Sequence, residues 1–129
     1  TFNAEQSSGS ATIVYTNNIN VTTKGGNVIL IGSISGSTDD DDGQGQYTTT
    51  LRIKKGSTTL GEVSAISTGS FETIQVVAFD GSPSGSISSS ATTTYNLELT
   101  TKSYDGTADA KGGFGNPATL KLITLETLK

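Results

Sequence analysis

Thr93-Thr94-Tyr95-Asn96-Leu97-Glu98-Leu99-Thr100-Thr101 alternates with a period of two. Tyr95, Leu97 and Leu99 fall on one side; Thr94, Asn96, Glu98 and Thr100 fall on the other. Successive side chains of a β-strand point to opposite faces, so this stretch reads as a strand with one buried face and one wet face. Tyr47–Lys55 has the same pattern, with Leu51 and Ile53 inward and Arg52 and Lys54 outward. Phe71–Phe79 is a third strong strand, and its Phe79 is placed with Tyr95 as core or subunit interface rather than ligand site.

Working outward, the remaining segments are short and punctuated by turn residues. Ala11–Thr16 and Ile19–Thr23 read as two strands joined at Asn17-Asn18, where asparagine supplies turn chemistry. Lys24-Gly25-Gly26 is a turn. Asn27–Ser35 is the most apolar run, and its start reads as a central strand buried on both faces. Gly36–Gln46 is an acidic, glycine-rich loop. Gly56-Ser57 turns into Thr58–Val63, Asp80–Ser90 is a loop around Pro83, and Thr119–Leu128 closes the chain. No segment sustains a helical period, and no repeat recurs at a fixed spacing. The expected architecture is therefore all-β, an antiparallel sandwich or barrel without substantial helix. Residues 1–10 read as a polar N-terminal arm and 11–129 as a single domain.

Composition excludes much chemistry. The 129 residues contain no His, Cys, Trp or Met, and Arg52 is the only arginine. A thiolate nucleophile, an imidazole base, a Ser-His-Asp triad and a conventional zinc site are all impossible. Chemistry on carboxylates alone, as in glycosidases, is left as a distant option, and the chain reads as non-enzymatic. The net charge of −4 and the lack of a basic stripe argue against nucleic acid. No apolar run is long enough to insert into a membrane as a helix. With 32% hydrophobic residues the core is lean, and association between subunits is a natural way to bury more surface. The first residue, Thr1, is small enough to follow a removed initiator methionine. It fits a mature chain, or a renumbered fragment.

Three local features qualify as candidate sites. Asp39-Asp40-Asp41-Asp42-Gly43 offers carboxylate oxygens of the kind calcium takes, with Asp40 and Asp42 as candidate ligands. It lacks the distal glutamate of an EF-hand loop, since position 49 is threonine, and a solvated acidic loop is the plainer reading. Asn20-Val21-Thr22 matches the N-glycosylation acceptor, or is simply strand. Tyr104, Phe114 and the loop Gly112-Gly113-Phe114-Gly115 offer aromatics for a contact tip. Phe2, in the N-terminal arm, is a further candidate contact.

The order of strand signals resembles the globular head shared by the complement-component head and tumour necrosis factor families. The residues carrying the resemblance are Val28-Ile29-Leu30-Ile31-Gly32-Ser33-Ile34-Ser35, Leu51-Arg52-Ile53-Lys54-Lys55-Gly56, Thr94–Leu99 and Leu120-Lys121-Leu122-Ile123-Thr124-Leu125-Glu126. Many bacteriophage fibre tips and virion-surface proteins carry similar patterns. The chain differs from the complement heads in lacking an aromatic-rich core and a collagen-like stalk. The resemblance implies a jelly roll and a homotrimer located in the virion, on the capsid surface or the tail. It implies two functions: a capsid decoration protein bound to the major capsid protein or other virion proteins, or the receptor-binding knob of a tail fibre or spike, contacting a host surface glycan or protein.

Overall fold

A computed structural model describes residues 2–6, 12–40, 47–66, 71–103 and 112–127, with side-chain surroundings for 16–35, 48–65, 73–100 and 122–127. Nine strands account for it: β1 (Phe2–Gln6), β2 (Thr12–Thr23), β3 (Asn27–Asp40), β4 (Tyr47–Lys55), β5 (Thr58–Ile66), β6 (Phe71–Asp80), the two-residue β7 (Gly85–Ser86), β8 (Ser89–Ser103) and β9 (Gly112–Thr127). They form two sheets, ordered β1-β9-β3-β6 and β2-β8-β4-β5, with β7 paired to the start of β8. Every pairing is antiparallel. The chain is an antiparallel β-sandwich, and no helix occurs among the described residues.

The pairing is nested. Apart from β7, the first strand pairs with the last, β2 with β8, β3 with β6, and β4 with β5. The chain is thus one long hairpin folded over, with its two halves joined side by side at β9–β3 and β8–β4.

Between the sheets lies the core that the alternation marks out. Tyr95, Leu97 and Leu99 of β8 and Leu51 and Ile53 of β4 meet Val28, Leu30 and Ile34 of β3 and Ile74, Val76 and Ala78 of β6. Each sheet contributes one face of alternate residues, the arrangement that aligned sheet packing requires. One core position is badly matched: Thr49, on the inner face of β4 and fully buried, has a hydroxyl with no hydrogen-bond partner among the described residues. Thr49→Val keeps the shape and removes the unpaired group, so it should stabilise the fold by about 1 kcal/mol. Urea unfolding followed by circular dichroism measures this; an unchanged or lower midpoint would mean that the hydroxyl is satisfied.

Several boundaries differ from the sequence reading for physical reasons. Asn17-Asn18 is not a turn: β2 runs unbroken through it, with Asn17 opposite Leu97 and Asn18 opposite Asn96. A twelve-pair ladder with β8 outweighs local turn preference. The arm is partly strand, since Phe2–Gln6 forms the sheet edge along β9. β3 continues to Asp40 within the stretch assigned to a loop, and β9 begins at Gly112 rather than Thr119. β9 carries a bulge there, because Gly36 faces Ala118 while Thr38 faces Phe114, leaving residues 115–117 opposite Ser37. Pro117 sits in this bulge, a place where a residue without an N–H does not break the ladder.

One end of the sandwich is closed by two turns in contact. Gly25 (φ +75°) and Gly85 (φ +107°) take backbone conformations that side chains rarely adopt. A Cβ on Gly25 would lie 2.7 Å from the Gly85 carbonyl oxygen, so neither turn has room for a side chain.

Candidate functional site

The outer face of the β1-β9-β3-β6 sheet is the most unusual surface of the chain. Register places Leu125, Ile29 and Phe79 in one row across β9, β3 and β6, and Ile123, Ile31 and Val77 in the next. Five of the six are exposed, at 66% for Val77, 61% for Leu125, 57% for Phe79, 49% for Ile123 and 37% for Ile31; Ile29 is half-buried between them. Polar residues border the rows, with Asn27 and Thr127 at one end and Lys121, Ser33 and Gln75 in register at the other. Such contiguous apolar surface is rare on soluble monomers and marks contact sites.

This finding corrects two sequence expectations. Phe79 points outward, because Ala78 and Asp80 occupy the inward positions beside it, which removes its core placement and leaves the subunit-interface alternative. The Val28–Ile31 run is covered on its inner face only, leaving Ile29 and Ile31 on the open one. The signal was in the sequence: Val76-Val77-Ala78-Phe79 and Val28-Ile29-Leu30-Ile31 are apolar at both parities, a pattern of strands covered on both faces.

The opposite outer face, on the β2-β8-β4-β5 sheet, is polar and internally paired. Thr94 Oγ1 donates to Asn20 Oδ1 at 2.7 Å, and Asn96 Nδ2 to Asn18 Oδ1 at 2.7 Å. Asn20 of the glycosylation-like motif is therefore an exposed member of this strand ladder. Arg52 bridges Glu62 at 2.5 Å and Glu98 at 3.4 Å, with Lys54 3.7 Å from Glu98. These pairs are partly solvated and contribute little to stability.

A third cluster has the composition of a reactive site and the geometry of a clasp. The buried Asp80 accepts from Tyr95 Oη at 2.7 Å, from the Ser82 N–H at 2.9 Å, and from Lys55 Nζ at 3.0 and 3.2 Å. Both carboxylate oxygens are filled by donors from the chain itself, which leaves none directed at a substrate. The ion pair joins β6 to β4, and the phenol joins it to β8, so the cluster ties one sheet to the other. Beside it, Thr23 Oγ1 donates to the Ser84 carbonyl, and the Ser84 N–H donates to Thr93 Oγ1 at 2.8 Å. These bonds hold the 81–88 loop down.

No protein-family model matches the chain, and no curated protein is similar to it. Function therefore rests on the surfaces described above.

Of the residues singled out from sequence, Asp42 and Tyr104 lie outside the described residues, as do the side chains of Phe2, Asp40 and Phe114. Their backbones show that Phe2 and Phe114 both belong to the first sheet, and that Gly112–Gly115 is strand, pairing with β1 and β3, rather than a loop. Asp40 ends β3 opposite Gly112. Among the described residues no three acidic side chains converge as a metal site would require.

Proposed function

We propose that the chain is a non-enzymatic virion structural protein, a trimeric decoration protein on a phage capsid. The observation carrying this reading is the pair of apolar rows across β9, β3 and β6, a surface that suits assembly better than a small ligand. The nested pairing supports a finer fold assignment as well. A long hairpin rolled so that first strand meets last, divided over two four-stranded sheets, is the jelly-roll arrangement that recurs in viral capsid and lectin domains.

Decoration acts by linkage: a protein that binds the assembled shell, and not its separated subunits, stabilises the shell at each site by RT ln(1 + L/Kd), with L its free concentration. The receptor-binding reading drew on Tyr104, Phe114 and a loop at 112–115, and the strand assignment of 112–115 weakens the second part of that motivation. The two readings differ in copy number. Quantitative mass spectrometry of purified particles should find hundreds of copies per virion, and particles stripped of the protein should lose their contents at lower temperature. A handful of copies, with binding of the purified protein to host cells, would replace decoration with the knob.

A further inference from the structure

We propose that the outer face of β9, β3 and β6 is covered by another copy of this chain. The inference rests on the assembly reading and names the partner for its central surface.

Four observations lead to a copy of the chain. First, the five exposed side chains leave on the order of 500 Å² of apolar surface in water, the upper part of the range for the largest patch on a monomer. With its polar border the face nears the roughly 800 Å² that each partner contributes to a stable protein interface. Second, the two central rows of the face carry no charge, and Lys121 of β9 holds the bordering register position opposite Ser33. Among the described residues, the outward positions of 27–35, 73–79 and 123–127 include no charged residue, in a chain with a net charge of −4. A copy brings the same negative charge, and this is a surface on which two copies meet without like charges in contact. A basic partner would instead be expected to find acidic groups there.

Third, the face is an open pleated surface with no cavity, suited to a second sheet packed against it rather than to an inserted side chain or small molecule. Fourth, the segments that join the described strands hold little to cover it. Residues 41–46 are Asp-Asp-Gly-Gln-Gly-Gln, residues 67–70 are Ser-Thr-Gly-Ser, and residues 104–111 contain Tyr104 as their one large apolar side chain. An apolar face carried by identical chains can meet itself across a two-fold axis or meet a different surface of the next copy in a closed ring, as a trimer requires.

Val77 is the most exposed residue of the patch and touches the core least, so Val77→Asp places a carboxylate in the interface while leaving the fold intact. Light scattering coupled to size-exclusion chromatography should show the wild-type chain at a multiple of 13.2 kDa. Val77→Asp should remove the oligomer peak entirely at the same concentration, and Leu125→Gln should repeat the effect through a neutral change. Thr92→Asp, on the opposite sheet, should leave the oligomer unchanged. Circular dichroism melts of all four proteins confirm folding. A wild-type chain of 13.2 kDa at high concentration overturns the proposal, as does an oligomer that survives both patch variants or dissociates with Thr92→Asp. The decoration reading is tested separately by copy number. A monomer abundant on capsids refutes the self-interface and the trimer but leaves decoration standing, and an oligomer scarce in particles refutes only decoration.

Discussion

Leu97→Ala should lower the unfolding free energy by about 3 kcal/mol and Gly32→Ala by about 2 kcal/mol, while the double variant should cost clearly less than the two together. Leu97 is fully buried in the middle of β8, opposite Ile53 of β4. Truncating it leaves a cavity that the surrounding strands, held in ladders on both sides, cannot collapse to fill. Gly32 is on the inner face of β3, where the other sheet approaches closely. A Cβ built there would lie 2.8 Å from Leu97 Cδ1, 3.2 Å from Val76 Cγ1 and 3.4 Å from Ile53 Cδ1. Overpacking by one methyl is relieved when the leucine it strikes is shortened, and the new methyl occupies part of the space left behind. A double-mutant cycle from urea melts reads the coupling directly. Strict additivity would mean that the two residues do not share one packing site.

Asp80→Ala should be of comparable size, about 3 kcal/mol, or a drop on the order of 10 °C in melting temperature. It removes the acceptor of the Tyr95 hydroxyl, the Ser82 N–H and the Lys55 ammonium at once. Lys55 is partly exposed and water replaces some of what it loses, which keeps the effect below that of a fully buried ion pair. Tyr95→Phe removes one donor and leaves the others, so about 1 kcal/mol is expected. The cluster also sets a pH dependence. Burial pushes the Asp80 carboxyl up, but the Ser82 N–H, the Tyr95 hydroxyl and the Lys55 ammonium outweigh it and hold it below the ordinary carboxylate value. Burial, and then the Asp80 charge, push the Tyr95 phenol far above an ordinary tyrosine, so it stays a donor.

The unfolded chain therefore takes up the Asp80 proton first as pH falls. The stabilisation is complete above the unfolded value of about 3.9 and fades as pH drops through the lower folded value. Between pH 6 and pH 2, the stability difference between wild type and Asp80→Asn should shrink at the acid end. A difference constant over that interval would show that the carboxylate is not held in its charged form by these partners.

How much of this was legible follows the range of the interactions. The inward set of β8 and the whole of β4, from Tyr47 to Lys55, are read from alternation alone, because period two is a local property of the chain. The strand through Asn17-Asn18 was not legible: two asparagines prefer a turn, and only pairing with residues about eighty positions later overrides them. The clasp was equally hidden, since Lys55, Asp80 and Tyr95 have no spacing in common and meet only when β4, β6 and β8 are in place. The apolar face was half legible. The start of β3 read as apolar on both parities, but which side the chain itself covers depends on sheet order. The acidic Asp39–Asp42 run and Tyr104 had clear chemical character without any neighbours that sequence could assign.

The position of β9 has a consequence for how the molecule comes into being. It follows every other strand in the chain and is inserted between β1 and β3. During synthesis the β2-β8-β4-β5 sheet can close first, while β1 has no neighbour and β3 has only β6. Completion waits for a strand whose partners lie about a hundred residues upstream, and chains dominated by such distant pairings fold slowly. Glu126 marks the end of the process: its carboxylate accepts the N–H groups of Lys24, at 2.8 Å, and of Gly26, at 3.0 Å, fastening the β2–β3 turn only after β9 has docked. Until then two bare strand edges and the Ile29–Ile31 stripe face the solvent of a crowded cell, and nascent chains at high local concentration are at their most prone to pair with one another.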